Sequence, residues 1–208
     1  MTQMKTPEPN PPNQTTTKPF DFSTFPTLNT QRLHLRQIVP GDAHAIFKLR
    51  SDYEVTKYNI GPAYTRLSQA QRLVKSVSDA YNNHRELRWA IALRTDLTLI
   101  GMVGFNYWDR IDNRGSIGFD LRRDYWRRGI MREAVTAVLD FAFTRMALNR
   151  IEADTSSHNA ASVGLLQNLG FQQEGIQREQ YLEDGIYHDL RLFALLKREW
   201  QKNLDTFN

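Results

Sequence analysis

The segment from Gly115 to Thr155 constrains the fold most, because it reads as strand, helix and strand without a break. Ile117, Phe119 and Leu121 alternate with Ser116, Gly118 and Asp120, the two-residue period of a half-buried strand. An arginine-rich connection leads into a helix in which Ala134, Val135, Val138, Ala142 and Met146 form one apolar stripe. Arg150 to Thr155 then returns as a strand. A crossover of this kind makes the two strands parallel neighbours. It also places the loop between strand and helix at a carboxyl edge of the sheet, where ligands bind.

Arg127, Arg128, Gly129, Ile130 and Met131 fall where the first turn of that helix forms. A helix start leaves about four backbone N–H groups without internal partners. Such donors, at the positive end of the helix dipole, suit a pyrophosphate. Gly129 permits close approach to the backbone, and the guanidinium groups of Arg127 and Arg128 can pair with phosphate oxygens. Spacing alone leaves a competing reading open, a solvated arginine face whose glycine only satisfies a turn. Arg122, Arg123, Arg127, Arg128 and Arg132 would also attract nucleic acid, but no aromatic platform or recognised motif accompanies them. No nucleic-acid partner is expected.

The chain of 208 residues, 40% hydrophobic and 24% charged, has enough material for one domain. It contains no cysteine, which excludes disulfides, thiolate metal sites and a cysteine nucleophile, and favours a reducing compartment. His34, His44, His84, His158 and His188 show no ligand spacing, so no metal is expected. No apolar run approaches the roughly 18 residues of a membrane span, and the first residues lack the apolar middle of a secretory signal. A cytoplasmic protein without a membrane partner is expected. The net charge of +4 favours anionic ligands only mildly.

Pro7, Pro9, Pro11, Pro12, Pro19 and Pro26 crowd the start of the chain, so residues 1–28 are expected to be a flexible or loosely docked arm. Leu33 and Leu35 open the domain as a strand, and Pro40, Gly41 and Asp42 form a turn that caps a helix to about Ser51. Ser68 is the expected N-cap of a helix to about Asn83, with Leu73, Val77 and Ala80 on its apolar face. Arg88 to Leu93 and Thr98 to Trp108 read as an antiparallel hairpin. A single domain over residues 29–202 and a tail over 203–208 complete the expected organisation.

The string IGFDLRRDYWRRGIMREAVTAVLDFAF, followed by NRIEADTSSHNAASVGLLQNLGFQQEG and YLEDGIYHDLRLFALLKREW, resembles the GCN5-related N-acetyltransferase (GNAT) superfamily. More narrowly, it looks like the RimJ/RimL-type branch that includes ribosomal-protein N-terminal acetyltransferases. The resemblance runs from about Leu33 to Trp200. It implies a mixed α/β (α+β) GNAT fold, a strongly twisted sheet of about six to seven strands flanked by about four helices. Acetyl-coenzyme A would lie in a V-shaped opening between two central strands. Backbone groups of Phe119, Asp120 and Leu121 would face the pantetheine arm. The amides of Arg127, Arg128, Gly129, Ile130, Met131 and Arg132 would hold the pyrophosphate, and Asn159 would reach the pantetheine region. Two positions depart from the family pattern: Met131 stands where Gly or Ala is common, and Leu166 where many members place a tyrosine acid.

The implied chemistry is direct attack of an amine on the thioester, with an oxyanion held by strand amides. Ser162, three residues beyond Asn159, is the candidate acid, although a serine in a first helical turn also serves local backbone groups. Glu152 and Glu179 are candidate bases. The acceptor expected from the branch is a protein N-terminal amine. A small amine (polyamine, amino acid or aminoglycoside) is the alternative with the same chemistry, and a non-catalytic acyl-coenzyme A module the alternative of another class. Either a monomer or a homodimer is compatible with this reading.

Overall fold

The computed structural model describes residues 20–59, 61–183 and 185–206. Among these residues eight strands form one mixed sheet in the order β1-β2-β3-β4-β5-β6-β8-β7. They are β1 (Leu28–Asn29), β2 (Leu33–Gln37), β3 (Leu87–Leu93), β4 (Leu99–Asp109), β5 (Arg114–Leu121), β6 (Arg150–Ser156), β7 (Gln172–Glu183) and β8 (Ile186–Leu196). The described residues also form six helices: α1 (Ala43–Arg50), α2 (Tyr53–Thr56), α3 (Leu67–Asn82), α4 (Ile130–Thr144), α5 (Ala160–Asn168) and α6 (Lys197–Thr206). The mixed α/β class is the expected one. The additional strand is the two-residue β1, and the additional helices are the one-turn α2 and the C-terminal α6. Because α6 runs to Thr206, the expected tail is helical as far as that residue.

Among the described residues only β5 and β6 pair in parallel, as the crossover through α4 requires. Their pairing covers Arg114–Ser116 against Arg150–Glu152 and then stops. Beyond it β5 follows β4 to Leu121, while β6 follows β8 to Ser156. The sheet therefore splits between its two central strands.

The α4 stripe predicted from sequence is buried, with Ala134, Val135, Val138 and Ala142 fully inaccessible, and it packs on Trp89, Ile117, Ile151 and Phe193. On the other face α1 and α3 cover Ala90, Leu99 and Met102. Each large aliphatic side chain buried in these layers contributes about 1.5–3 kcal/mol, enough to fix how the helices sit on the sheet.

Three local expectations change. The Asp42 carboxylate makes no cap bond to α1; it turns back to accept from Val39 N–H (2.9 Å), at the start of the 3-10 turn Pro40–Asp42, and from the Arg36 guanidinium (2.7 and 2.8 Å). The start of α3 is held by the Gln69 carboxamide, which accepts from the N–H groups of Thr65 and Arg66, and Ser68 is exposed in the first turn. Its buried face is Ala70, Val74, Val77 and Ala80, with Leu73 half-buried beside it.

The third concerns the arm. Residues 1–19 lie outside the described residues, but the chain is packed from Phe20 onward. Phe22 is buried against Tyr81, His84 and Trp108, so Trp108 belongs to this cluster. The Tyr81 hydroxyl donates to Phe22 O (3.0 Å) and the Trp89 indole to Pro26 O (2.6 Å).

Candidate active site

The walls of the split follow from hydrogen-bond alternation. Arg122 N–H donates to Ile100 O (2.9 Å) at the end of β5. In an antiparallel ladder every second residue faces the same neighbour, so Asp120 and Gly118 also turn their main chain to β4. Ile117, Phe119 and Leu121 are left facing the split. On the other wall Ser157 N–H donates to Asp189 O (3.1 Å), and the same alternation leaves the main chain of Asp154 and Ser156 facing it. This corrects one expectation: the Asp120 backbone is engaged with β4, and its carbonyl lies against Gly101. The Leu121 carbonyl accepts from the Trp126 indole (2.8 Å), which leaves the Leu121 amide to the split.

The loop at the end of β5 enters α4 through two left-handed residues, Arg127 (φ +57°) and Gly129 (φ +71°). Glu133 N–H donates to Gly129 O (3.1 Å), so the amides of Ile130, Met131 and Arg132 precede the first helical rung and have no partner within the helix. A Cβ at Gly129 would meet only Arg32 Nη2, at the ordinary contact distance of 3.5 Å, so no backbone crowds the glycine. Met131 packs against the main core cluster, and its bulk is turned away from the loop. Arg127, Arg128 and Arg132 are exposed, with Arg128 5.7 Å from the centre of the Tyr125 ring.

A brace holds this loop from behind. The Glu133 carboxylate accepts from Thr30 Oγ1 (2.5 Å), Arg32 N–H (2.8 Å) and Arg32 Nε (2.6 Å). Arg32 Nη1 in turn donates to Arg128 O (2.8 Å). Burial opposes ionisation of Glu133, yet the bonds from Thr30 and Arg32 outweigh it and hold the carboxyl below its usual range. An open groove of about 540 Å³ runs alongside, lined by Thr30, Arg32, Gly129 and Arg132 among others.

On the face carrying α1 and α3, Gly104 and Gly118 pair across β4 and β5 and leave a floor without side chains of its own. The Asn106 carboxamide lies over Gly118, 2.9 Å from where a Cβ would stand, and Arg88 lies over Gly104. Arg88 Nη2 donates to Asn106 Oδ1 (2.5 Å). The buried Asp120 side chain accepts from Arg50 Nη2 (2.8 Å) and Asn59 Nδ2 (2.8 Å), tying α1 and the end of the α2 segment to β5.

Of the expected bases, Glu152 is engaged by Arg150 Nε (2.8 Å), with Arg114 Nη1 at 3.9 Å. Glu179 stands on edge strand β7, separated from β6 by β8, with φ +52° and its N–H donating to Asp189 Oδ1 (2.8 Å). Asp154 was missed by sequence reasoning. It shares the strand face of Glu152, two residues further along β6, and forms no ion pair among the described residues. Its carboxylate is open to solvent, while the surrounding protein mass pushes its pKa up by desolvation. The signal was present in the alternation of Glu152 and Asp154 with Ile151, Ala153 and Thr155; only knowledge of where the split begins separates the two carboxylates.

Asn159 caps α5, accepting from Ser162 N–H (3.1 Å), and places the first turn of α5 at the end of β6, beside the split. The half-buried Ser162 hydroxyl makes no hydrogen bond among the described residues, because Asn159 meets the need of its backbone. Leu166 is a core residue, 1% exposed. The fold thus brings Phe119, Leu121, Asn159, Ser162 and the Arg127–Arg132 loop to one edge of the sheet, and leaves Glu179 apart.

Four similarities to known proteins bear on this arrangement. The family described as Acetyltransferase (GNAT) domain matches residues 32–172. The N-acetyltransferase p20 of Bacillus licheniformis is 40% identical over 175 residues, covering 84% of this chain and 98% of that protein. The [ribosomal protein uS5]-alanine N-acetyltransferase of Escherichia coli (strain K12) is 33% identical over 84 residues, 40% of this chain and 43% of that one. The solved structure of RimL, a ribosomal L7/L12 α-N-protein acetyltransferase in complex with coenzyme A, aligns with a TM-score of 0.76 at 19% identity, covering 82% of this chain and 98% of that one. On the family match and the full-length relative, this chain belongs to the GNAT acetyltransferases, and RimJ/RimL-type proteins are among those it is similar to.

Proposed function

We propose that this acetyltransferase moves an acetyl group from acetyl-coenzyme A to the N-terminal amine of a protein. The observation that carries the reading is the meeting, at one edge, of a split sheet with a glycine-opened helix start. The residues present fit the donor: Gly129 admits an anion to the free amides of Ile130, Met131 and Arg132, and exposed Arg127, Arg128 and Arg132 surround it. The main-chain groups of Phe119 and Leu121 supply the rungs that an extended, amide-containing arm needs, and Asn159 stands at the far wall. The relatives that act on ribosomal proteins support the acceptor class.

Acetyl-coenzyme A supplies an activated thioester. The amine attacks its carbonyl carbon, forming the C–N bond as the C–S bond breaks. Asp154 takes the amine proton, because it is the carboxylate free of an ion pair where β6 leaves β5, and the Ser162 hydroxyl protonates the departing sulfur. Amides facing the split hold the developing oxyanion. Incubation with acetyl-coenzyme A and a mixed library of peptides and small amines, read by mass spectrometry and by release of free coenzyme A, tests this. Acetylated peptide N-termini are the expected product. Saturable coenzyme A binding with no release for any amine would overturn it.

A further inference from the structure

The floor on the α1 and α3 face of the sheet carries a cation without an ionic partner. Arg88 projects over Gly104 and reaches Asn106, which itself lies over Gly118, so its guanidinium crosses β4 towards β5. Gly118 is two residues beyond the last β5 residue that pairs with β6, and Asp154 is two residues beyond its partner. The Arg88 side chain and Asp154 therefore flank the opening on the same face, from opposite halves of the sheet.

The charged groups facing Arg88 are Asp120, Glu86 and Arg50. Asp120 is occupied by Arg50 and Asn59, and Arg88 forms no salt bridge among the described residues. Arg88 offers five N–H donors, of which the neutral Asn106 takes one. Desolvation by its surroundings disfavours the charged form and lowers its pKa. A desolvated guanidinium with spare donors matches a carboxylate, the partner its planar fork binds in bidentate fashion.

We infer that Arg88 selects acceptors carrying a carboxylate close to the amine that is acetylated. The amine then lies by Asp154 and the carboxylate by Arg88, on either side of the split. Two sources supply that chemistry: an acidic side chain among the first residues of a protein, or the α-carboxylate of a free amino acid. A polyamine, which would bring a second positive charge against Arg88 and Arg50, is disfavoured. The inference rests on the acetyltransferase reading above.

The test measures kcat/KM for the full chain with four acceptors: a peptide with an acidic N-terminal sequence, its neutral counterpart, a free acidic amino acid and spermidine. Coenzyme A affinity is measured in parallel by calorimetry. The wild-type chain should favour a carboxylate-bearing acceptor over the neutral peptide and spermidine by about tenfold or more, as a charge-assisted bidentate contact provides. Whether the acidic peptide or the amino acid leads identifies the source. Arg88→Gln should abolish that preference at unchanged coenzyme A affinity, and Arg88→Lys should restore part of it; the Lys variant carries the test if the Gln variant does not fold. Equal or better use of spermidine or the neutral peptide, or a preference that survives Arg88→Gln, would overturn the inference alone; no turnover of any acceptor despite coenzyme A binding would overturn the proposed function with it. Absence of coenzyme A binding by the wild-type chain would overturn the reading beneath it as well.

Discussion

Gly129 holds φ +71° at the point where the proposed pyrophosphate approaches the backbone. Gly129→Val adds the strain of a left-handed β-branched residue and fills the approach. It should weaken coenzyme A binding by about tenfold or more in calorimetry because the side chain blocks that approach, and separately lower stability by roughly 1–2 kcal/mol through the strain. Ser162 and Asp154 act at the other end of the donor. Ser162→Ala should lower kcat by about 100-fold with little change in coenzyme A affinity, in the range typical of a lost acid or base. Asp154→Asn should do the same, and its effect on stability runs the other way. A carboxyl whose pKa is raised on folding contributes stability at low pH that is lost as pH rises through its folded value. The neutral asparagine should therefore hold or raise Tm at pH 7 while turnover falls, and the wild-type rate should drop as pH falls through the Asp154 pKa. A variant that loses Tm and rate together would mark Asp154 as structural.

At the scale of elements, the start of α4 depends on β1 and β2. The Arg32–Glu133 brace fixes the Arg128 carbonyl and with it the direction of the neighbouring amides. Arg32→Ala should raise KM for acetyl-coenzyme A several-fold while kcat changes little, because the reacting atoms lie at the opposite end of the donor. Arg32 is 44% exposed, so the stability loss should stay within about 1 kcal/mol. The depressed Glu133 carboxyl adds stability above its unfolded pKa that disappears as pH falls through its folded value. Coenzyme A affinity should weaken over that same acidic window, a dependence that Glu133→Gln removes.

Across the whole molecule, the strap from Phe20 to Leu28 closes the core between β3, β4 and α4. Phe22→Ala should lower stability by about 3 kcal/mol in urea unfolding, since the ring fills a site between Tyr81, His84 and Trp108. That role was not legible in the sequence, because three phenylalanines among prolines have no period; only their partners more than 50 positions away give them a place. The crossover was legible, since Ile117, Ala134, Val138 and Ile151 announce their faces by spacing alone. The site was half legible: Gly129, Asn159 and Ser162 follow local helix-start rules, whereas choosing Asp154 over Glu152 needs the residue at which β5 leaves β6. Three residues of parallel pairing have one more consequence. A donor lying in the gap would act as a ninth strand supplied from outside, so the two half-sheets should gain rigidity only when loaded. Amide exchange at Phe119 and Leu121 would then slow on adding coenzyme A, and Tm would climb with its concentration.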